Sequence, residues 1–377
     1  MKIAYLSTFY PFRGGIAQFN ALLTEALRAE GHEVKAFTFS RQYPKMLFPG
    51  KTQMVSENDD AIKIGAERIL DTANPLNWGK TARTIRKFEP DLLIMKYWMS
   101  YFGPSLGSVA KRLKKDCKII TVLDNVIPHE KKFYDMPATR YFLKQNHAFI
   151  SMSKSVEADL LSILPDVKSV FSPHPVYNHF GTRISKEEAC RQLNIPSNKK
   201  TVLFFGFIRK YKGLDNLINS FSMLDDSYQL LIAGESYSDF DEYQRLIDGN
   251  SNENIHPHIR YIDDNEVPAF FSAAEVLVLP YKSATQSGIS GIALHFRLPQ
   301  IVSNVGGLVE YVEHEKTGLI IENLTPENLA EGLKRYFDNN LKEKFESNIE
   351  EISDKYSWET LARTIVELSE SLETKTR

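Results

Sequence analysis

The sequence predicts an α/β protein with two doubly wound parallel sheets, one in each half of the chain. Short apolar runs alternate with helical patterns along most of its length, which is typical of βαβ units. The chain has 377 residues, more than one hydrophobic core usually spans. Each half also begins with an apolar strand that ends in a glycine-bearing loop, at Gly14-Gly15 and at Gly206. These observations predict two domains.

The first half begins with a predicted strand, and a helical pattern over 16–30 follows and ends at Gly31. The segment 171–177 contains two prolines, which favour an extended linker. We therefore place the N-terminal domain at 1–176. Its predicted strands lie near 2–7, 34–39, 92–96, 118–123 and 148–151.

The second half repeats the alternation, so we place a C-terminal domain at 177–357. A last helix, about 358–377, begins at Trp358 and is expected to pack back on the N-terminal domain. The predicted strands lie near 201–205, 229–233, 258–262, 276–279, 300–303 and 318–321, and the helices near 213–223, 239–249, 266–273, 289–297 and 326–338.

Composition excludes several classes of protein. The hydrophobic fraction of 42% and the charged fraction of 25% are those of a globular protein. Cys117 and Cys190 are the only cysteines and have no metal-binding or disulfide spacing, which indicates a reducing compartment. We find no signal peptide and no apolar run long enough to span a membrane, so we expect a cytoplasmic protein.

Charge is divided unequally between the halves. The net charge is −2, but residues 1–176 carry 25 Lys and Arg against 17 Asp and Glu, a net of +8. The remainder therefore has a net charge of −10. A basic half predicts contact with an anionic surface, and we expect this to be the inner face of a membrane. No nucleic-acid-binding module is recognisable, so we expect no nucleic acid partner.

The loop after the strand 201–205 has the composition of an anion site. It reads Gly206-Phe-Ile-Arg-Lys-Tyr-Lys-Gly213, and a helix follows. Ligands bind at the carboxyl ends of strands in α/β sheets, where helix N-termini offer free N–H groups. Arg209 and Lys212 add fixed positive charge, which suits a diphosphate. The alternative is a solvated basic turn.

A second loop of this kind follows the strand 276–279. Thr285, Gln286 and Ser287 supply hydrogen-bond donors, Gly288 permits close backbone approach, and Ile289 begins a helix. In the alternative interpretation, Ser287 is only the N-cap of that helix. The earlier Gly14-Gly15 turn lacks the GxGxxG pattern, which argues against a dinucleotide-dependent enzyme.

These segments, in this order, resemble the retaining nucleotide-sugar glycosyltransferases of family four. The resemblance rests on Gly206…Lys212-Gly213, on 274–280, on 299–307 and on 316–320, and it covers nearly the whole chain. It implies the GT-B architecture, in which two Rossmann-like domains face each other across a cleft. It also implies that the C-terminal domain binds most of a nucleotide sugar.

The resemblance assigns roles to individual residues. Lys212 falls on the family lysine that neutralises the diphosphate, and Arg209 is expected to replace the family arginine. A family histidine is replaced by Asp124, and His129 lies nearby; either one could orient the acceptor hydroxyl or assist proton transfer. The donor-binding residues that we predict are Gly14, Gly15, Gly206, Glu235, Tyr261, Ile262, Thr285, Gln286, Ser287, Gly288 and Ile289.

This chain departs from the family at a pair of glutamates. Ala284 and Ile292 stand where the family usually has them, and the Thr-Gln-Ser-Gly segment 285–288 looks like a variant found in one branch. The absence of both carboxylates leaves in doubt the usual contacts with the ribose and with the sugar.

The resemblance implies transfer of a sugar, with retention, from a nucleotide sugar to a glycan or lipid-linked acceptor in cell-surface polysaccharide or glycolipid biosynthesis. No cofactor is expected. We also expect no metal, because fixed cations can stabilise the diphosphate leaving group. Two alternatives remain open: a nucleotide-sugar epimerase of the same architecture, and an inactive donor-binding partner of another transferase.

Overall fold

The computed structural model describes residues 1–12, 14–44, 53–55, 62–127, 132–176, 180–236, 239–284 and 287–372. Among the predicted site residues, His129, Thr285 and Gln286 lie outside these ranges. The chain divides into two compact units. The first comprises Met1–His174 and Ser357–Arg377, and the second comprises Pro175–Tyr356.

The first unit is built on a seven-stranded sheet in the order β3-β2-β1-β4-β5-β6-β7. All pairs of neighbouring strands are parallel. Its elements are β1 (Lys2–Leu6), α1 (Gly15–Ala29), β2 (Glu33–Arg41), β3 (Ala66–Asp71), α2 (Pro75–Arg86), β4 (Leu92–Tyr97), α3 (Gly103–Leu113), β5 (Lys118–Leu123), α4 (Asp135–Leu143), β6 (Ala148–Ser151), α5 (Lys154–Ile163), β7 (Lys168–Phe171) and, at the end of the chain, α13 (Trp358–Glu370).

The second unit has a six-stranded parallel sheet in the order β10-β9-β8-β11-β12-β13. Its elements are α6 (Lys186–Leu193), β8 (Lys200–Phe205), α7 (Leu214–Phe221), β9 (Tyr228–Ala233), α8 (Asp241–Asp248), β10 (Ile255–His258), α9 (Val267–Ala273), β11 (Val276–Leu279), α10 (Gly288–His295), β12 (Gln300–Ser303), β13 (Gly318–Ile321), α11 (Pro326–Asp338) and α12 (Leu341–Ile352).

Central strands are buried on both faces, as expected for parallel sheets covered by helices. Every residue of β4, β9, β11 and β12 is buried. Apolar β-branched and aromatic side chains of these strands form the cores on which the helices pack. The sheets therefore hold the loops at the carboxyl ends of their strands on a rigid base.

Three edge strands were missed or misplaced, whereas the edge strand β13 was predicted at its observed bounds. The sequence analysis missed β3 and β7, which are the two edges of the first sheet. The strand predicted at 258–262 is also wrong, since β10 runs from Ile255 to His258. It is an edge strand that contains Pro257, and an edge is where a sheet tolerates proline. One face of an edge strand can remain polar, so its apolar pattern is weak.

The last helix belongs to the first unit. The ring of Trp358 lies edge-on to Phe19 of α1, with ring centroids 5.0 Å apart. His174 also contacts Phe19, at 5.1 Å between centroids. The chain thus returns to its N-terminal unit after completing the second one.

Candidate active site

The loop between β8 and α7 is shaped by two glycines. Gly206 has φ +99°, and Gly213 has φ +67°. A Cβ atom at Gly213 would lie 1.9 Å from the carbonyl oxygen of Pro280, so no larger residue fits without backbone movement. Between the glycines, Lys210–Lys212 form one 3₁₀ turn. Gly213 therefore permits close contact between this loop and the loop that follows β11.

Lys212 is the buried cation of the site. The residue is only 7% exposed, and its Nζ lies 5.2 Å from the centroid of the Tyr281 ring. A Cβ atom built on Gly206 would lie 3.4 Å from this Nζ and 3.1 Å from Ile289 Cδ1. The predicted residues Gly206, Lys212 and Ile289 thus converge on one point. Sequence reasoning assigned no role to Tyr281, although it is the first residue of the second predicted anion loop.

Electrostatics distinguish the three cations of this loop. Arg209 and Lys210 are exposed, whereas Lys212 is buried. Burial lowers the pKa of Lys212 to about 8, and the positive charge of Arg209 contributes in the same direction. Within the described part of the chain, no carboxylate forms an ion pair with Lys212. A desolvated ammonium beside a second cation favours an anionic ligand.

Polar contacts hold the two loops together. The backbone N–H of Lys282 donates to the carbonyl of Tyr211 at 2.6 Å. The Lys282 ammonium pairs with Asp215 at 2.8 Å. The Ser303 hydroxyl donates to the carbonyl of Tyr281 at 2.5 Å. These bonds fix the backbone around Lys212, so the site is formed before a ligand binds.

The first turn of α10 presents backbone rather than a capping side chain. Ser287 is 6% exposed, and its side chain makes no capping hydrogen bond. Ser287 thus occupies the N-cap position of α10, but its hydroxyl does not cap the helix. Gly288 is exposed, and a Cβ atom there would meet no atom of the described residues within 4 Å. As far as the described residues show, the helix N-terminus is open at Gly288.

The two positions where the family usually has glutamates carry apolar residues that pack in the core. Ile292 is 8% exposed and belongs to a hydrophobic core, and Ala284 packs against the same core. An apolar residue at each position is therefore part of the structure of the second unit.

Three predicted residues lie on neighbouring segments. Glu235 is exposed, and its carbonyl accepts a hydrogen bond from Ile208 N at 2.9 Å. Tyr261 is 60% exposed, whereas the Ile262 side chain lies in the core. Among these residues, Glu235 and Tyr261 offer a side chain to solvent, whereas Ile262 has only its backbone to offer a ligand.

The first unit has a cavity of about 240 Å³ where β1, β2 and β4 end. Gly14, at φ +105°, and Gly15 both border it, and a Cβ atom at either position would meet no described atom within 4 Å. Among the described residues that line the cavity, none has a charged side chain. The lining residues are Thr8, Gly14, Gly15, Ile16, Gln42, Tyr43, Gln53 and Trp98.

Asn20 on α1 fixes the loop beside this cavity. Its Nδ2 donates to Ser7 Oγ at 2.9 Å and to the carbonyl of Thr8 at 2.8 Å. Its Oδ1 accepts from the Tyr5 hydroxyl at 2.5 Å. Burial, and then the nearby Asp124 charge, raise the pKa of Tyr5 well above its usual value. The sequence analysis missed Asn20; a polar residue on the apolar face of a predicted helix was the available signal.

Asp124 follows β5 and is held by a lysine that sequence reasoning also missed. Lys96 Nζ lies 2.7 Å from Asp124 Oδ1, with side-chain exposures of 1% and 18% respectively. Burial lowers the pKa of Lys96, and Asp124 opposes that shift. The signal in the sequence was a cation inside the apolar run of β4. His129, the predicted alternative to Asp124, lies outside the described residues.

Neither a metal cluster nor a membrane span is found in the described ranges. No group of three or more His, Cys, Asp or Glu is arranged to hold a metal ion there. No described helix combines the length and the apolar character needed to cross a bilayer.

Family models match nearly the whole chain in two segments. Residues 13–176 match the model of Glycosyltransferase Family 4. Residues 185–371 match the model of Glycosyl transferases group 1. The first match includes the glycine loop and Asp124, and the second includes the Lys212 site.

The chain is also similar in sequence to individual proteins named as glycosyltransferases. The chain is 25% identical to an uncharacterized glycosyltransferase of Methanocaldococcus jannaschii, over 97% of both chains. It is 24% identical to a Bacillus subtilis glycosyltransferase named for teichuronic acid biosynthesis, over 67% of this chain and 62% of the relative.

Solved structures of glycosyltransferases share the fold. Anabaena HepE, whose crystal structure is a complex with UDP, aligns with a TM-score of 0.72 and 14% identity, over 99% of this chain and 100% of HepE. The predicted α/β fold of the GT-B type, with two Rossmann-like domains, is thereby confirmed. The two family models, which together span most of the chain, place it among the GT4-like glycosyltransferases.

Proposed function

We propose that this protein transfers a sugar from a nucleoside diphosphate sugar to a hydroxyl of a glycan or lipid-linked acceptor, with retention and without a metal ion. The buried, unneutralised charge of Lys212 is the observation that carries the proposal. A protein gains nothing in stability from an ammonium that is desolvated and repelled by Arg209. A diphosphate bound there would supply the missing negative charge.

The same arrangement suits departure of the diphosphate. Negative charge grows on the leaving phosphate as its bond to the anomeric carbon breaks. Lys212, Arg209 and the backbone at Gly288 lie around one region of the second unit and would stabilise that charge more strongly than the ground state. They would thus supply the stabilisation for which other transferases use a divalent cation.

Retention would follow from attack on the face that the diphosphate leaves. The acceptor oxygen bonds to the anomeric carbon, the electron pair of the broken bond goes to the phosphate oxygen, and that oxygen takes the acceptor proton. No side chain becomes glycosylated in this scheme. Mass spectrometry of enzyme quenched during turnover tests it, since a sugar bound covalently to Asp124 would contradict front-face attack.

The first unit supplies the features proposed for the acceptor. The cavity beside Gly14 offers the rings of Trp98 and Tyr43 and the amides of Gln42 and Gln53. Aromatic faces and neutral hydrogen-bonding groups suit an uncharged sugar ring. Asp124 would orient the attacking hydroxyl by accepting its hydrogen bond.

A role in the synthesis of cell-surface polysaccharide or glycolipid is part of the proposal. The Bacillus subtilis relative is named for teichuronic acid biosynthesis, which supports this class of acceptor. An assay with lipid-linked glycans from cell-envelope extracts would test it; transfer only to a soluble small molecule would contradict it.

We also propose peripheral contact with an anionic cytoplasmic membrane surface through the basic first unit. Phe133 is 94% exposed and Tyr134 is 44% exposed at the start of α4, next to Lys132. Exposed aromatic rings beside cations suit a lipid interface. Sedimentation with phosphatidylglycerol vesicles, compared with phosphatidylcholine vesicles at low salt, tests this. Equal binding to both vesicles would contradict it, and Phe133→Ser with Lys132→Ser should weaken binding to the anionic ones.

Calorimetric titration with UDP, GDP and ADP tests the donor site directly. We expect one of them to bind the wild type, and Lys212→Ala to abolish that binding. Lys210→Ala is the matched control, because Lys210 belongs to the same turn but its side chain is 82% exposed. Binding that survives Lys212→Ala would contradict the proposal. Formation of a free altered nucleotide sugar would instead indicate an epimerase, and donor binding without transfer or hydrolysis an inactive partner.

A further inference from the structure

Lys96 occupies an unusual place for a cation. It lies near the end of β4, a strand whose six residues are all buried. Its Nζ lies 3.4 Å from the centroid of the Phe19 ring and 4.0 Å from Met152 Sδ. Its one anionic partner among the described residues is Asp124, at 2.7 Å. The ammonium is thus enclosed by an aromatic ring, a thioether and a single carboxylate.

Stability alone gives little reason to keep such a pair. Removing two charges from water costs several kcal/mol per ion, and their attraction often does no more than offset this. Apolar residues of similar volume commonly stabilise a core as well or better. A lysine on a central strand, at the carboxyl edge where ligands of α/β sheets bind, therefore calls for a functional explanation.

We propose that Lys96 is a positioning residue, which holds the Asp124 carboxylate in one orientation so that its second oxygen can accept a hydrogen bond from the attacking hydroxyl. This inference rests on the proposed function and deepens it. Lys96 itself does not touch the substrate, because its side chain is 1% exposed.

The two carboxylate oxygens of Asp124 have different surroundings. Oδ1 pairs with Lys96, and the backbone N–H of Asp124 donates to the Tyr97 carbonyl at 2.9 Å. No described residue donates to Oδ2, and the side chain is 18% exposed. The backbone and one oxygen are thus fixed, whereas the other oxygen is available to a ligand.

The groups around Asp124 determine how its orientation can be tested. Among the described residues, the titratable groups that Asp124 influences are Lys96 on β4 and Tyr5 on β1. The Tyr5 hydroxyl is buried and donates to Asn20. His129 is close in sequence, so His129→Ala must accompany the measurements.

The first test follows the carboxylate without any ligand. Protein labelled with ¹³C at the aspartate carboxyls is compared by NMR at neutral pH, with Asp124→Asn to assign the signal and Lys96→Met as the test variant. Loss of Lys96 removes the contact made by Oδ1, so the chemical shift of the Asp124 carboxyl should change. An unchanged chemical shift would overturn the proposal.

The second test separates positioning from stability. UDP release from UDP-glucose is followed with methyl glycosides or water as acceptor. Lys96→Met should lower kcat at least about tenfold and leave the Kd for UDP within about twofold. Lys35→Met is the control, since Lys35 forms an exposed pair with Glu67.

The double variant Lys96→Met with Asp124→Asn decides between the two roles, and it also covers the case in which Lys96→Met folds poorly. Without either charge, the core should recover its stability while kcat remains low. If stability and kcat recovered together, the pair would be structural and the proposal would fail. Failure of the wild type to bind or use any nucleotide sugar would instead contradict the proposed function, and the NMR comparison of the carboxyl would still test whether Lys96 positions Asp124.

Discussion

Among the described residues, each unit buries one lysine near the carboxyl edge of its sheet, and the two lysines have different charged neighbours. Lys96 in the first unit is 1% exposed and paired with Asp124 at 2.7 Å. Lys212 in the second unit is 7% exposed and has Arg209 as its charged neighbour. Within the described ranges, the charge of Lys96 is thus neutralised by a carboxylate and that of Lys212 is not.

The difference in charge pairing suggests a different role for each lysine. A buried charge with an internal partner can orient that partner, whereas a buried charge without one attracts a ligand of opposite sign. The first unit therefore presents an oriented carboxylate, suited to a hydroxyl. The second presents a cation, suited to a diphosphate. Four predictions test this difference between the two units.

The largest effect is expected on stability in the first unit. Lys96→Met leaves Asp124 partly buried without its cation, which should lower the free energy of unfolding by about 3 kcal/mol. Lys212→Met removes a cation that has no partner, so stability should be unchanged or higher. Urea denaturation of both variants checks this. Equal destabilisation by the two substitutions would mean that Lys212 is also paired, which would contradict the difference between the two lysines.

Nucleotide binding should show the opposite ranking. Lys212→Met should weaken the Kd for the preferred nucleoside diphosphate about 100-fold, because a charge-assisted contact is lost. Lys96→Met should leave that Kd nearly unchanged. Isothermal titration calorimetry measures both, with Lys210→Met as the control for charge alone. A loss as large in the Lys210 variant would show that net charge, rather than the buried position, governs binding.

Substitutions of two glycines distinguish an effect on stability, through backbone geometry, from an effect on donor binding. Gly213→Ala places a Cβ atom against the Pro280 carbonyl at positive φ, so we expect a loss of about 2 kcal/mol in stability. Gly288→Ala meets open space and should leave stability nearly unchanged, yet weaken donor binding about tenfold by obstructing the helix N-terminus. Thermal melts and donor titrations distinguish the two. Normal donor binding by Gly288→Ala would remove Gly288 from the site.

The smallest effect concerns pH. The pKa of Lys212 is lowered to about 8, so the free site loses its charge as pH rises through 8. Affinity for the diphosphate should therefore fall about tenfold between pH 7 and pH 9. Binding near pH 8 should take up a proton, which titrations in buffers of different ionisation enthalpy detect. Lys212→Arg should remove this dependence, because arginine stays charged; proton uptake that persists in it would come from another group.

Much of this architecture was predictable from local sequence. The central strands and their glycine loops were predicted because a strand buried on both faces must be apolar along its length. The edge strands β3, β7 and β10 were missed or misplaced, because partners cover only one side of each. The same holds for the site residues. Gly206 and Lys212 were predicted because they lie in a recognisable loop. Lys96 and Asn20 were missed because they lie inside a strand and a helix.

Local sequence was enough to predict the fold class, the two candidate anion loops and the candidacy of Lys212, since each depends on residues close together in the chain. Which cations are buried, and what faces them, follows only from the folded arrangement. Lys210 and Lys212 are two positions apart, yet one is solvated and the other lies over Tyr281. Lys96 and Asp124 meet because β4 and β5 are neighbours in the sheet. Burial and charge pairing depend on contacts distant in sequence, and those contacts set the chemistry of each site.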